Sequence, residues 1–221
     1  MRGALHTNSF GLSIDLPFEN TSEIQQQLKT NRLHYKYFFT RKLFLVKEAS
    51  AFVCFPGGFG TFDEAFETLT LVQTGKTSLI PIVFIEPSGY QFWETFRTFV
   101  NDALIKHAFI SKEDLSLYTF CTSAKEAMDH IDNFYSNYHS MRFVKDKLVL
   151  RLKKNLNEDH LNQINQRFKY LLTKDKFILS PPLAEEENEP ELSHLYRLIF
   201  YFNRKNFGGL RELINDINAS I

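Results

Sequence analysis

A short glycine-rich stretch, residues 56–64 (PGGFGTFDE), holds the residues of this chain that are best suited to chemistry. Gly57, Gly58 and Gly60 carry no side chains, so a ligand can approach the backbone closely there. The apolar run Ala51–Phe55 before it has no alternation, as in a strand buried on both faces, and the proline that follows ends the strand. Backbone N–H groups in such a turn, with the positive end of a following helix, form a site for a phosphate group.

The helix expected after this turn adds a carboxylate to the site. Thr61 is suited to cap the helix, and Asp63 and Glu64 would then lie in its first turn. The residues at helical spacing that would pack on the sheet are Phe62, Ala65, Phe66, Leu69 and Val72. At about 100° per residue, Glu64 lies away from this stripe, and the helix dipole favours its ionised form. The sequence therefore predicts an anion-binding turn with a carboxylate within one helical turn of it.

This pairing suits a substrate that carries a phosphate at one end and develops positive charge nearby. A ribose 5′-phosphate that loses its base is such a substrate, because cleavage of the N-glycosidic bond passes through an oxocarbenium-like sugar. Glycoside hydrolases use carboxylates against the same kind of charge. The plainer interpretation is that Glu64 only stabilises the start of its helix. The residues by themselves leave both interpretations open.

The whole string Pro-Gly-Gly-x-Gly-Thr-x-x-Glu, from Pro56 to Glu64, resembles the signature of the Lonely Guy family of nucleoside 5′-monophosphate phosphoribohydrolases. Members of this family were long labelled lysine decarboxylases. The pair Arg41-Lys42, on the helix predicted before this string, stands at the distance that the family shows. The resemblance runs through most of residues 1–138, and the tail is similar to that of longer bacterial members.

The resemblance implies a hydrolase that releases a free base and ribose 5-phosphate, from cytokinin ribotides or from ordinary purine and pyrimidine monophosphates. The three glycines and Thr61 would hold the phosphate, with Lys42 as a further phosphate ligand. Glu64 would stabilise the oxocarbenium ion or orient the attacking water, and Arg41 would fix the sugar against it. Glu67, one turn later, would contact the ribose or support Glu64. The resemblance implies no metal or organic cofactor, and it implies a homodimer with the site near the interface.

The composition of the chain indicates which classes of binding partner and which cellular compartment to expect. The 221 residues include 26 basic and 26 acidic side chains, so no net charge points to nucleic acid or to an anionic membrane. No apolar run approaches the ~20 residues of a membrane span, and the first residues lack the apolar core of a signal peptide. Cys54 and Cys121 both fall in predicted buried strands, and the seven histidines have no metal-ligand spacing. We therefore expect a cytoplasmic protein that binds a small nucleotide.

The order of elements predicts an α/β fold with a Rossmann-like parallel sheet over residues 1–138, followed by a small α+β domain over residues 139–221. The first part is predicted to contain strands at 11–18, 34–39, 51–55, 81–86 and 117–121, and helices at 41–49, from 61, at 90–107 and at 124–138. The second part is predicted to contain strands at 142–152, 177–183 and 195–202, and helices at 158–172 and 207–217. The acidic residues 184–190 are expected to form a solvated loop without a function.

The chain starts abruptly for this fold. Residues 2–8 are typical of the end of a helix and its exit turn, and the strands and second glycine turn that precede this point in the family are expected to be missing. Their loss would leave an open sheet edge. Two alternatives to an active hydrolase therefore stay open: a nucleotide-binding or sensing module without turnover, and an inactive fragment of such an enzyme.

Overall fold

The computed structural model describes residues 10–14 and 32–219. The chain divides into two compact units, Met1–Ala49 and Ser50–Ile221. In the first unit, strands β1 (Gly11–Ile14) and β2 (Arg32–Tyr35) pair in parallel. The strand predicted at 11–18 is present in its described part, and residues 15–18 of that prediction lie outside the described residues.

Helix α1 (Phe38–Lys47) completes the described part of the first unit. It begins three residues earlier than predicted, and its N-cap is Tyr37, whose side chain makes no capping hydrogen bond. Thr40, which directly precedes the predicted start, therefore lies within the first turn of the helix. The weak alternation of residues 34–39 suggested a longer strand, whereas β2 ends at Tyr35 and a two-residue bend leads into the helix.

The second unit begins with a three-stranded parallel sheet whose order is β3-β4-β5, which confirms the predicted α/β fold class. The strands are β3 (Phe52–Cys54), β4 (Ile82–Ile85) and β5 (Tyr118–Cys121). The helices that follow them are α2 (Phe59–Gln73), α3 (Phe92–Phe99), which continues as a π-helical turn at Val100–Ile105, and α4 (Ala124–Phe134); a 3-10 turn at Glu113–Leu117 precedes β5.

The central strand and the aromatic residues around it form the core of this sheet. All four residues of β4 are buried, which explains its continuous apolar run. Phe84 contacts Trp93 and Phe96 of α3, with ring centroids 4.6 and 5.3 Å apart. Phe62 of α2 joins the same cluster, 5.5 Å from Phe92. Aromatic rings thus hold α3 on the sheet and α2 against α3. Helix α4 packs differently, because its Ala127 and Ile131 contact a cluster of Val83, Ile85 and Cys121.

The last part of the chain forms a four-stranded antiparallel sheet with the order β6-β7-β9-β8. Its strands are β6 (Tyr138–Val144), β7 (Lys147–Leu152), β8 (Leu172–Ser180) and β9 (Tyr196–Phe202). Its helices are α5 (Glu158–Arg167) and α6 (Phe207–Ala219), and 3-10 turns lie at Lys169–Leu171, Ala184–Glu186 and Pro190–Leu192.

One predicted strand of this sheet is two strands in the structure. The prediction of a single strand at residues 142–152 is wrong, because β6 and β7 form a hairpin whose turn contains Lys145. The backbone of Lys145 is left-handed, with φ 54°. Lysine is not a residue that marks such a turn in sequence, since asparagine and glycine usually occupy left-handed positions. The alternation of apolar and polar residues therefore continues through the hairpin, and the sequence shows one strand where the structure has two.

Residues 184, 185, 187, 188 and 190 of the acidic segment are exposed, as expected for a solvated loop, but Glu186 is buried and Glu189 is half-buried against this sheet, which corrects the expectation at these two positions. Glu186 is buried and accepts hydrogen bonds from Arg151 at 2.6 and 2.9 Å and from Arg197 at 3.2 Å. Glu189 forms ion pairs with Arg142 and Arg151. The segment is acidic because it neutralises arginines that project from β6, β7 and β9.

Helix α6 holds the antiparallel sheet against the parallel one. A Cβ atom on Gly208 would overlap the backbone of Glu113 and Asp114, so the helix touches that turn through its own backbone. Arg211 is buried and donates to the backbone oxygen of Ile80 at 3.4 Å. Both sheets therefore belong to one compact unit, and the domain boundary expected between residues 138 and 139 stays a prediction.

Candidate functional site

The glycine turn leads directly from β3 into α2, as predicted, but the helix begins earlier than expected. Its N-cap is Gly58 and its first residue is Phe59, so the prediction of Thr61 as the N-cap is wrong. The Thr61 N–H instead donates to the Gly58 carbonyl at 3.0 Å. Gly58 has an extended backbone and no side chain, so backbone groups alone close the first turn.

The three glycines of the turn differ in whether packing explains the absence of a side chain. A Cβ atom on Gly57 would overlap the side chain of Thr61, so this position is fixed by packing inside the turn. Cβ atoms on Gly58 and Gly60 would meet no atom of the described residues within 4 Å. None of the three has a left-handed backbone that would require glycine. Packing and conformation therefore do not explain Gly58 and Gly60, and the open space in front of them is available to a ligand.

The start of α2 offers hydrogen-bond donors to that space. The first N–H groups of an α-helix have no carbonyl partner within the helix, and here they belong to Gly58, Phe59 and Gly60. All three residues are exposed, and the side chain of Phe59 is 96% exposed. Residues 10–14 and 32–219 leave this helix N-terminus uncovered, so an anion can reach both the N–H groups and the positive end of the helix dipole.

Glu64 and Glu67 lie further along α2 than the sequence suggested. They are its sixth and ninth residues, and no acidic residue is in its first turn. The helix dipole acts mainly within the first turn, so Glu64 lies beyond the part of the helix where it is strongest. Both side chains are half-buried, beside the buried face formed by Ala65, Thr68 and Val72. The predicted packing face is thus shifted, because Phe62 and Phe66 contact α3 instead.

The Glu64 carboxylate nevertheless lies close enough to the end of β3, where the turn begins, to influence the charge state of a residue there. Burial, and then the negative charge of Glu64, raise the pKa of the Cys54 thiol to about 11. Cys54 is the last residue of β3. The carboxylate is therefore close to the carboxyl end of the parallel sheet, where ligands bind in folds of this kind. Cys54 and Cys121 are both buried and free, as predicted from their strands.

Arg41 and Lys42 are neighbours on α1, in the first unit. Both side chains are half-buried, and the Arg41 guanidinium lies 5.5 Å from the centre of the Phe38 ring. The structure thus brings the glycine turn, Thr61, Glu64 and Glu67 together on one strand–turn–helix element. The roles of Arg41 and Lys42 stay predictions.

The second unit also contains a cavity that the sequence patterns did not predict. A cavity of about 440 Å³ lies at the carboxyl ends of β4 and β5, with Tyr90, Trp93, Arg97 and Phe120 among its lining residues. The signal available in sequence was the Pro87-Ser-Gly turn, because a turn directly after a parallel strand lies at the ligand-binding edge of the sheet.

The described residues contain no group of three or more histidine, cysteine, aspartate or glutamate side chains placed to bind a metal ion. In the same part of the chain, every helix is too short or too polar to span a membrane.

Comparisons with known proteins agree with the motif. A family model described as "Possible lysine decarboxylase" matches residues 1–131. The chain is 30% identical over 99 residues to the probable cytokinin riboside 5′-monophosphate phosphoribohydrolase LOGL3 of Oryza sativa subsp. japonica, a stretch that covers 45% of this chain and 44% of that protein. It is 27% identical over 101 residues to the cytokinin riboside 5′-monophosphate phosphoribohydrolase LOG1 of Arabidopsis thaliana, which covers 46% of each chain.

A third relative is the cytokinin riboside 5′-monophosphate phosphoribohydrolase LOG7 of Arabidopsis thaliana, 29% identical over 109 residues, or 49% of this chain and 47% of that protein. The chain thus spans about half the length of the curated relatives it matches. With more than half of its residues matched by the family model, and with the glycine turn and its glutamates on one strand–turn–helix element, this chain belongs to the Lonely Guy family.

Proposed function

We propose that this protein hydrolyses the N-glycosidic bond of nucleoside 5′-monophosphates. One water molecule is consumed: its oxygen bonds to the anomeric carbon, the carbon–nitrogen bond breaks, and the base leaves with a proton, so the products are the free base and ribose 5-phosphate. The observation that carries this proposal is the open start of α2, where Gly58 and Gly60 face empty space and the Glu64 carboxylate follows on the same helix.

The chemistry of this arrangement supports the proposal. The N–H groups of Gly58, Phe59 and Gly60 are suited to bind the 5′-phosphate at the positive end of the helix. The carboxylate of Glu64 would stabilise the positive charge that develops on the ribose, or orient the attacking water. Glu67, one turn later on the same helix, would bind the ribose or support Glu64.

Further parts of the proposal rest on the family. Arg41 and Lys42 would bind the phosphate or ribose, Arg41 through its bidentate guanidinium. The relatives carry names that specify cytokinin riboside 5′-monophosphates, which makes these nucleotides the first substrates to test, beside ordinary purine and pyrimidine monophosphates. A cytoplasmic homodimer that needs no cofactor is part of the same proposal.

The test is release of free base from AMP, CMP and isopentenyladenosine monophosphate, followed by chromatography. The Glu64→Gln variant keeps the size of the side chain and removes its charge. We expect it to lower kcat at least 100-fold, which corresponds to about 2.7 kcal/mol of lost transition-state stabilisation, while nucleotide binding persists. The matched control is Asp63→Asn, because Asp63 is the exposed neighbour of Glu64 on the same helix.

Equal loss of activity in both variants would contradict a specific role of the Glu64 carboxylate. Binding of nucleotides by the unmodified chain without release of any base would replace the hydrolase by a sensing module.

A further inference from the structure

The cavity at the carboxyl ends of β4 and β5 has walls suited to a flat ring. Its volume is about 440 Å³, and the rings that present surface to it are those of Tyr90, which is exposed, and Phe120, which is half-buried; the buried rings of Phe84 and Trp93 lie beneath them. The guanidinium of Arg97 lies 4.6 Å from the centre of the Phe120 ring, so a planar cation extends the aromatic wall. We call this cavity the aromatic pocket. Aromatic rings and guanidinium planes are the surfaces on which nucleobases stack.

The charges around the aromatic pocket do not suit a phosphate group. The Glu86 carboxylate accepts hydrogen bonds from the N–H groups of Phe92 at 3.0 Å and Trp93 at 3.1 Å, so it already occupies the N-terminus of α3. Arg97 is paired with Glu94 at 3.1 Å. The lining carries two carboxylates and one cation, which repel an anion but accept a neutral ring with polar edges. Polar side chains at the rim, those of Ser88 and Gln91, offer both donors and acceptors.

The position of the aromatic pocket matches the second half of a nucleotide. Its loops follow β4 and β5, and β4 is the direct neighbour of β3, which leads into the glycine turn. Adjacent strands lie about 5 Å apart, so the pocket and the turn are separated by roughly one or two strand spacings at the same sheet edge, the span of a ribose. Phe62 of α2 contacts Trp93 with ring centroids 5.9 Å apart, so the helix of Glu64 packs on the wall of the pocket.

We propose that the aromatic pocket binds the nucleobase of the substrate, with the base stacked between Tyr90 and the Arg97–Phe120 wall while the phosphate lies at the glycine turn. This inference rests on the proposed function. It adds that the phosphate and the base of the substrate bind at different places along the same edge of the sheet. Base selectivity would then be set by residues 88–97, a segment separate from the glycine motif.

Trp93 provides the measurement, because it is the only tryptophan of the chain and lines the aromatic pocket. We expect its fluorescence to change on titration with adenine, adenosine and AMP, and to stay constant with ribose 5-phosphate or inorganic phosphate. Tyr90→Ala removes an exposed ring from the pocket without opening the core. It should weaken the binding of AMP about ten-fold, the effect of losing one stacking contact, and leave the affinity for ribose 5-phosphate unchanged. The matched control is Phe109→Ala, an exposed ring outside the pocket.

The outcomes separate this inference from the proposed function. If AMP is hydrolysed but Trp93 fluorescence does not respond to any base and Tyr90→Ala leaves the KM unchanged, the base lies elsewhere and only the inference is overturned. If Trp93 responds to adenine and Tyr90→Ala weakens AMP binding but no base is released from any nucleotide, the base site is supported and the hydrolase proposal falls. A tenfold loss of AMP affinity in Phe109→Ala as well would also overturn the inference.

Discussion

At the scale of single residues, the glycine motif divides into a packing position and two open positions. Gly57 is required because Thr61 fills the space of a Cβ atom, whereas Gly58 and Gly60 face empty space. A helix is destabilised by roughly 0.5–1 kcal/mol when it contains glycine instead of alanine. Gly60 therefore makes α2 less stable, although neither packing nor backbone conformation requires a glycine at this position. A ligand that approaches the backbone closely would explain why glycine is used there.

Gly60→Ala is predicted to stabilise the protein and to damage the site. We expect the free energy of unfolding to rise by about 0.5–1 kcal/mol, because the new methyl group meets no atom within 4 Å. The same methyl group would project toward the proposed phosphate, so the affinity for AMP should fall. Urea denaturation and a nucleotide titration of one preparation measure the two effects.

Gly57→Ala should show the opposite pattern of stability and is the comparison for this experiment. It should lower the free energy of unfolding by about 1–3 kcal/mol through overpacking against Thr61. If Gly60→Ala is more stable and binds AMP as well as the unmodified protein, the phosphate does not lie at the start of α2.

At the scale of elements, the antiparallel sheet depends on a buried ionic network. Glu186 neutralises Arg151 and Arg197, and all three side chains are buried. Burial alone would raise the pKa of the Glu186 carboxyl, but hydrogen bonds from Arg151, from the Leu183 N–H and from Arg197 outweigh it and lower the pKa. Charged groups at this depth are stable only as a complete set, because removal of one partner leaves a buried charge uncompensated.

Glu186→Gln is therefore predicted to lower the free energy of unfolding by about 3–5 kcal/mol at neutral pH, measured by urea denaturation. The adjacent Glu187 is exposed, and Glu187→Gln is the control that removes the same charge outside the network. Similar stabilities of the two variants would show that the buried pairs contribute no more than surface charge.

The same network predicts how stability depends on pH. The folded protein holds the pKa of Glu186 below that of the unfolded chain, so the unfolded state binds the proton more readily. The stabilisation is fully present above the unfolded pKa of about 4.3 and is lost as the pH falls through the folded pKa. We expect the loss of stability below about pH 4.3 to be smaller in Glu186→Gln. Denaturation curves at a series of pH values test this, and identical acid profiles for the two proteins would contradict it.

At the scale of the whole molecule, α6 connects the two sheets of the second unit. The Gly208 backbone touches the turn before β5, and the Ser116 hydroxyl donates to the Gly208 carbonyl at 2.7 Å. Arg211 is buried on the same helix, and its guanidinium lies 4.2 Å from the centre of the Phe134 ring of α4. Contacts of this kind predict that the two sheets unfold together rather than as separate domains.

Gly208→Ala is predicted to lower the stability of both sheets by about 1–3 kcal/mol, because the new methyl group would overlap backbone atoms that cannot move aside. Trp93 fluorescence reports the parallel sheet and far-UV circular dichroism reports the whole chain, and both transitions should shift to the same lower urea concentration. Gly60→Ala is the control, a helical glycine that faces open space. An unchanged Trp93 transition would instead support independent domains on either side of residue 139.

Local sequence patterns were enough to predict the order and type of most elements and the location of the glycine motif. The continuous apolar run of β4 and the Ser123 cap of α4, which accepts the Glu126 N–H at 3.2 Å, are local features that depend on neighbouring residues only. Family membership was also readable from a short string, because the string combines strand, turn and helix start. The starts of α1 and α2 were predicted wrongly, since Tyr37 and Gly58 cap these helices without side-chain hydrogen bonds and so leave no sequence signal.

Which charges are buried and which glycines face open space follows from the packing of distant segments rather than from the local sequence. The acidic segment 184–190 is polar enough to be solvated, yet Glu186 is buried because arginines from two distant strands converge on it. Gly57 and Gly60 count equally as glycines of the motif, but Gly57 packs against Thr61 whereas Gly60 faces open space. The aromatic pocket likewise exists only because β4 and β5 pair and bring Trp93 and Phe120 to one edge. Such features arise from contacts between residues far apart in the chain, which local patterns do not encode.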